Sequence, residues 1–337
     1  MGLLDCLFKR GDGPLASHDS ERIDRALERI LTTLPRLRMA RRSEKRLRPA
    51  VTVALRYADE VSAALPAPHE ASLKAWASDP CIRAFFATAE DLPKAFSRAQ
   101  ELRAYFDRNP GSVDAYAALG MAMTERHVLG VALDGDTIRT DVAQTTLCFA
   151  DHRARICAAT ESGLREEIAR RLLDQLALEG LSKLAADCRE LVEQGRALLQ
   201  ARLALMQRGG MGVCAVVGGA QAVEAEELER IHAQIDENAN QLAALRVPTE
   251  VIELELQSVC EVLSDPSAYI YVTKKRVRID LMNVVQESST QAGHEIEFDL
   301  ARISNNPPVT RAFALVCFPR AELLADGLHI DAAMRAL

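Results

Sequence analysis

The sequence predicts an α+β protein, predominantly α-helical: a helical bundle with a long helical hairpin, accompanied by a small antiparallel sheet. Three observations carry that expectation. Leucines recur seven apart at Leu184, Leu191, Leu198 and Leu205, and a second heptad-spaced stripe runs from Leu228 to Leu263. After Pro266 the period changes from helical to alternating, the pattern of half-buried strands. Aromatics make up only 4% of the chain and the apolar content leans on Ala and Leu, which lose little entropy in helices.

The elements follow in chain order. Residues 1–18 read as a flexible, amphipathic N-terminus, with Leu3, Leu4, Leu7 and Phe8 before the breaks at Gly11, Gly13 and Pro14. Residues 19–125 form a helical region. Ser20 caps a helix with the stripe Ile23, Leu27, Ile30, Leu31 and Leu34, and Pro35 interrupts it. The basic segment 36–48 follows, and Val51, Val53, Leu55 and Val61 carry the pattern on to Leu65. Beyond Pro66 and Pro68 come shorter helices. Asp79-Pro80 is an N-cap with a first-turn proline, Leu92-Pro93 opens a helix through Phe106, and Ser112 caps one to about Glu125.

Residues 126–161 are expected to hold a β-hairpin and its connector, with arms His127–Leu133 and Thr137–Phe149 about a turn at Asp134-Gly135. Residues 162–264 then form the long helical hairpin, whose Gly-rich apolar tip is 209–223. Gly180 separates a short helix from the leucine run. The core-type positions Cys188, Gly195 and Arg202 make that run a broad stripe rather than a strict zipper. The second stripe keeps its phase through Pro248, which should kink or split the helix, and it carries polar Asn238 and Thr249.

Residues 265–337 are assigned to the small sheet and a C-terminal tail. Runs at Tyr269–Val272, Arg276–Val285, His294–Leu300 and Arg311–Phe318 are strand candidates. Arg276 and Arg278 face outward on one strand, Glu295, Glu297 and Asp299 on the next, so the two should pair as antiparallel neighbours. This sheet and the earlier hairpin are each short of strands to stand alone, which favours one shared sheet.

A net charge of -7 disfavours nucleic acid as a bulk partner. Eight scattered cysteines with no C-x-x-C pair read as reduced, hence a cytoplasmic protein. The glycine-rich tip lacks the Lys and Ser/Thr of a phosphate loop and the dinucleotide fingerprint. With no catalytic or cofactor motif the reading leans away from an enzyme, and no cofactor is expected. The function expected is a non-enzymatic interaction or assembly protein, with a coiled-coil-like helical surface for a protein partner or for self-association as an oligomer. One alternative is a peripheral membrane protein that touches an anionic surface through the N-terminus, the basic segment or the tip. Its contact residues would be Arg38, Arg41, Arg42 and Arg46, with Met211, Val213, Val216 and Val217. A further alternative is an enzyme or metal site at His127, Asp151 and His152, which the ends of the hairpin would bring together.

Overall fold

The computed structural model describes residues 14–134, 137–208, 225–245, 247–286, 293–303 and 309–325. It is 59% helical and 27% strand, with an antiparallel sheet, which places the chain in the mixed class that its periodicities predict. Two compact units divide it: Met1–Leu55 with Leu173–Pro266, and Arg56–Leu172 with Ser267–Leu337.

The first unit is helical. It contains α1 (Pro14–Thr33), a 3-10 turn (Pro35–Met39), the start of α2 (Ser43–Ala64), most of α7 (Glu161–Arg208), α8 (Ala225–Ala244) and α9 (Pro248–Ser264). Helix α1 begins at Pro14, six residues before the expected Ser20 cap, because a proline at a helix start already has the right φ and loses no hydrogen bond. Pro248 splits the second stripe into α8 and α9 and stands in the first turn of α9.

Gly180 does not separate two helices. Helix α7 runs unbroken for 48 residues, and Gly180 lies inside it. A Cβ at this position would lie 2.6 Å from the Cα of Val259 on α9, and Ser258 donates its hydroxyl to the Gly180 carbonyl at 2.7 Å. The glycine is there for close helix approach rather than for a break.

Along α7 the more covered positions are Leu184, Cys188, Leu191, Gly195, Leu198, Arg202 and Leu205, a 4–3 repeat. On α8 they are Leu228, Ile231, Ile235, Asn238 and Leu242. Two of the irregular residues of these stripes, Gly195 and Asn238, meet. Asn238 Nδ2 donates to the Leu191 carbonyl at 3.0 Å, and its Oδ1 sits where a Cβ on Gly195 would be, 2.6 Å away. Each would be a defect opposite an ordinary leucine; together they fill one space and satisfy one buried amide.

The second unit holds the whole sheet. Its elements are the end of α2, β1 (His69–Glu70), α3 (Leu73–Ser78), α4 (Pro80–Phe85), α5 (Asp91–Ser97) and α6 (Gln100–Arg108). Then come β2 (Asp114–Asp134), β3 (Thr137–Ala158), the first turns of α7, β4 (Ile270–Ile279), β5 (His294–Ile303) and β6 (Val309–Pro319). Strand order is β3-β2-β6-β5-β4, all antiparallel, and β1 pairs in parallel with β6 at Val316 and Cys317. The two β regions therefore form one sheet. The expected strand 276–285 stops at Ile279. An Asp280 carboxylate accepting from Met282 and Val284 turns the chain, and Val284 and Val285 bridge to Thr146 of β3 and Ile279 of β4. At that level the sheet closes on itself.

The hairpin arms are longer than expected. Residues 114–125, expected to be helical from a Ser112 cap, are the first half of β2. Ala115, Ala117, Leu119 and Met121 are buried in strict alternation, and this stretch pairs with β6 from Asp114↔Pro319 to Met121↔Ala312. Tertiary pairing overrides the helix propensity of its alanines. The core under the sheet gathers Phe85 of α4, Phe149 of β3 and Phe298 of β5, edge to face at 5.1–6.3 Å.

The expected pairing of basic and acidic strands is present. Lys274↔Asp299, Arg276↔Glu297 and Arg278↔Glu295 are in register, and Glu297 receives both Lys274 at 2.7 Å and Arg276 at 2.5 Å. Asp299 departs from the pattern: it is only 3% exposed. Loss of water pushes its carboxyl above its ordinary value, against the pull of Lys274. A raised folded-state value means that its contribution is most favourable in acid and is lost as pH rises through that value. Asp299→Asn should therefore raise the melting temperature at neutral pH, with a gain that shrinks as pH falls through the carboxylate range. A melting series against pH checks both.

Candidate functional site

A run of incompletely covered apolar side chains lies on α7 and α8. The facing stripe between them is only half-buried at Leu191, Leu198, Ile235 and Leu242. Beside it, α7 presents a second apolar row: Val192 is 42% exposed, Leu199 55% and Leu203 57%. On the other flank, Ala197 and Ala233 are too small to fill the space between the helices, and a groove of about 600 Å³ opens there against Leu198 and Asn238. Near this end Arg202 Nε and His232 Nε2 are buried without a hydrogen-bond partner among the described residues.

Of the four arginines expected to meet a membrane, Arg38 and Arg46 have their side chains paired within the first unit. Arg38 pairs with Glu28 at 2.5 Å, Arg36 with Glu255 at 3.2 Å, and Arg48 with Asp24. Arg46 pairs with Glu253 at 2.5 Å, and the same carboxylate accepts from the backbone N–H of Arg41 at 2.7 Å. Those contacts, the Arg41 amide foremost, hold the Glu253 carboxyl below its ordinary value. Arg42 is exposed with φ 51° at the start of α2. Four of the segment's basic side chains, Arg36, Arg38, Arg46 and Arg48, are thus paired with carboxylates of the same unit. Met211, Val213, Val216 and Val217 lie outside the described residues. Among the described residues no helix is long and apolar enough to cross a membrane.

His127 and His152 do not meet. His127 pairs with Thr145 in mid-strand and touches its Oγ1 at 3.1 Å, while Gly120 is the partner of Arg153. Those levels are seven residue steps apart on β2, about 23 Å at strand rise. The hairpin extends to Asp114 and Ala158, beyond the arms expected from the sequence, which leaves His127 far from its base. His152 is an anchor for α4. Its Nε2–H donates to the Phe85 carbonyl at 2.7 Å and its ring stacks on Phe86 at 4.5 Å. Burial holds its pKa below the usual value, so it is neutral at pH 7. Asp151 accepts from Arg153 at 2.9 Å and from Arg311.

Around His152, β3 is bulged twice. Asp151 and Ile156 have φ of 51° and 58°, and the register shifts beside each. Glu101 of α6 holds the second bulge: it accepts from Ile156 N at 2.9 Å and Arg155 at 2.7 Å, and its carboxyl stays below the ordinary value although burial opposes this. A cleft of about 340 Å³ lies here, lined by Arg98, Gln100, His152, Arg153 and Arg155. With Arg153 and Arg155 each held by a carboxylate and His152 spent on Phe85, this geometry secures the bulged strand to α6 and assembles no nucleophile–base pair.

No family model matches the chain, and no curated protein or solved structure does.

Proposed function

We propose that the chain is an interaction protein that self-associates through α7 and α8, whose paired long helices act as a helical hairpin. The observation that carries this is the double exposure of α7. Its inner stripe is half-covered, and its outer row of Val192, Leu199 and Leu203 is uncovered. Two helices can cover each other along one seam only. A second pair of the same kind would cover the rest and give the four-helix arrangement in which such stripes become core. Self-complementarity is the simplest closed solution, because a two-fold axis sets one row against its own copy.

Sedimentation equilibrium tests this. The wild type should run as a dimer or higher closed oligomer at micromolar concentration. Leu199→Glu with Leu203→Glu should shift it to monomer with unchanged far-UV circular dichroism, since both side chains are already exposed. A wild type that stays monomeric over the whole accessible concentration range refutes the proposal.

A further inference from the structure

The second unit contains a cluster of a different kind. His69 on β1, Asp79 before α4 and Cys81 in its first turn place an imidazole nitrogen, a carboxylate oxygen and a sulfur all within 4.8 Å of one another. Each is set in place by a separate constraint. Parallel pairing with Val316 fixes the backbone of His69. Asp79 is the N-cap of α4, its Oδ1 accepting from Cys81 N at 2.8 Å and Ile82 N at 3.4 Å, which leaves Oδ2 turned to His69 Nδ1 at 2.7 Å. Cys81 is 8% exposed at the edge of the aromatic core, its Sγ making one long contact of 3.8 Å with the Glu297 carbonyl.

From this geometry we infer that His69, Asp79 and Cys81 form a zinc site. The donor set suits that ion, which takes nitrogen, oxygen and sulfur ligands at about 2.0–2.3 Å. In a tetrahedron with those bonds the ligands stand roughly 3.3–3.8 Å apart, a range that falls between the 2.7 Å separating His69 from Asp79 and the 4.8 Å within which all three ligand atoms lie. Small side-chain rotations, with the helix and strand in place, would close the set. The charge also balances. Zn²⁺ with one thiolate, one carboxylate and a neutral imidazole sums to zero, which a half-buried position tolerates far better than a bare cation. Binding takes the place of the His69–Asp79 hydrogen bond, the neutral imidazole carrying its proton on Nε2, and the proton of the Cys81 thiol leaves to solvent. Without metal, burial keeps that thiol above its ordinary pKa and therefore protonated, so the cysteine is not a poised nucleophile. Three protein ligands leave a fourth position for water.

The full chain, stripped with chelator, is titrated with zinc against a chromophoric competitor, and separately with cobalt(II). The expected result is one equivalent of zinc, a thiolate-to-cobalt charge-transfer band, and a higher melting temperature with zinc than without. Cys81→Ser should abolish the band, and Cys81→Ser or His69→Ala should weaken zinc binding by roughly 100-fold or more, beyond the about 10–100-fold typical of outer-shell changes. Melting of the metal-free variants shows that they are folded. Asp79→Asn, which keeps a capping oxygen, is the second variant should either of the others fail to fold, and it should weaken binding in the same way. Zinc binding that is absent in the wild type, or unchanged in the folded variants because other cysteines supply it, overturns the inference.

Discussion

Gly180→Ala is expected to destabilise the protein by about 2 kcal/mol, although the same change inside an ordinary exposed helix stabilises by about 1 kcal/mol. The opposite sign follows from what stands opposite. The added methyl would lie 2.6 Å from the Cα of Val259 and 3.0 Å from its backbone nitrogen, so relief requires α9 to move as a whole. Overpacking of this kind costs about 1–3 kcal/mol and more where backbone is involved. Moving α9 also lengthens the 2.7 Å bond from Ser258 to the Gly180 carbonyl. Urea denaturation of the two proteins measures the difference. A midpoint that rises, as helix propensity alone predicts, would show that α7 and α9 do not approach closely here.

Arg165→Ala is expected to cost about 3 kcal/mol, and Arg165→Lys nearly as much. The guanidinium at the start of α7 donates to the carbonyls of Ser62, Leu65 and Pro66 at 2.6, 3.0 and 2.9 Å. Glu161, one turn before it, fixes its orientation with bonds of 2.9 and 2.7 Å. These carbonyls lie at and just beyond the C-terminus of α2, where helical carbonyls lack intrahelical donors. Leu65 and Leu164, flanking the interaction, are buried together with Leu315. Truncation leaves three acceptors without a charged donor, and bonds to charged groups are worth about 1.5–3 kcal/mol each before non-additivity. An ammonium cannot span the fork. Thermal melts of both variants check the order; a loss below about 1 kcal/mol would mean that water replaces the guanidinium at little cost.

What was legible in the chain was whatever depends on local period. The two stripes, the split at Pro248, the cap at Asp79 and the facing charges of β4 and β5 all follow from neighbours in sequence. What was not legible depends on partners far along the chain. Ala115–Met121 has helical composition and becomes strand because β6, some two hundred residues later, supplies its hydrogen bonds. Gly195 and Asn238 each look like flaws until they are seen as one contact. Gly180 resembles a helix end because glycine often is one, and only Val259 reveals the other reason for it.

The site residues divide the same way. His127, Asp151 and His152 share a neighbourhood only if the hairpin ends near Phe149, and its bulges and added length place those ends elsewhere. No standard ligand spacing joins His69, Asp79 and Cys81 in the sequence; β1 pairing and the turn into α4 bring them together. Val192 and Leu199 of the outer row of α7 directly follow Leu191 and Leu198, but nothing in the local period shows that they are exposed.

The self-association of α7 and α8 is the central claim, and a photo-crosslinking amino acid in place of Leu199 tests it most directly. On a two-fold axis that residue faces its own copy, so irradiation of the otherwise wild-type chain should give a covalent dimer, while the same group at exposed Lys74 in the other unit should not. Dimer of equal yield from both positions, or from neither, would contradict the account.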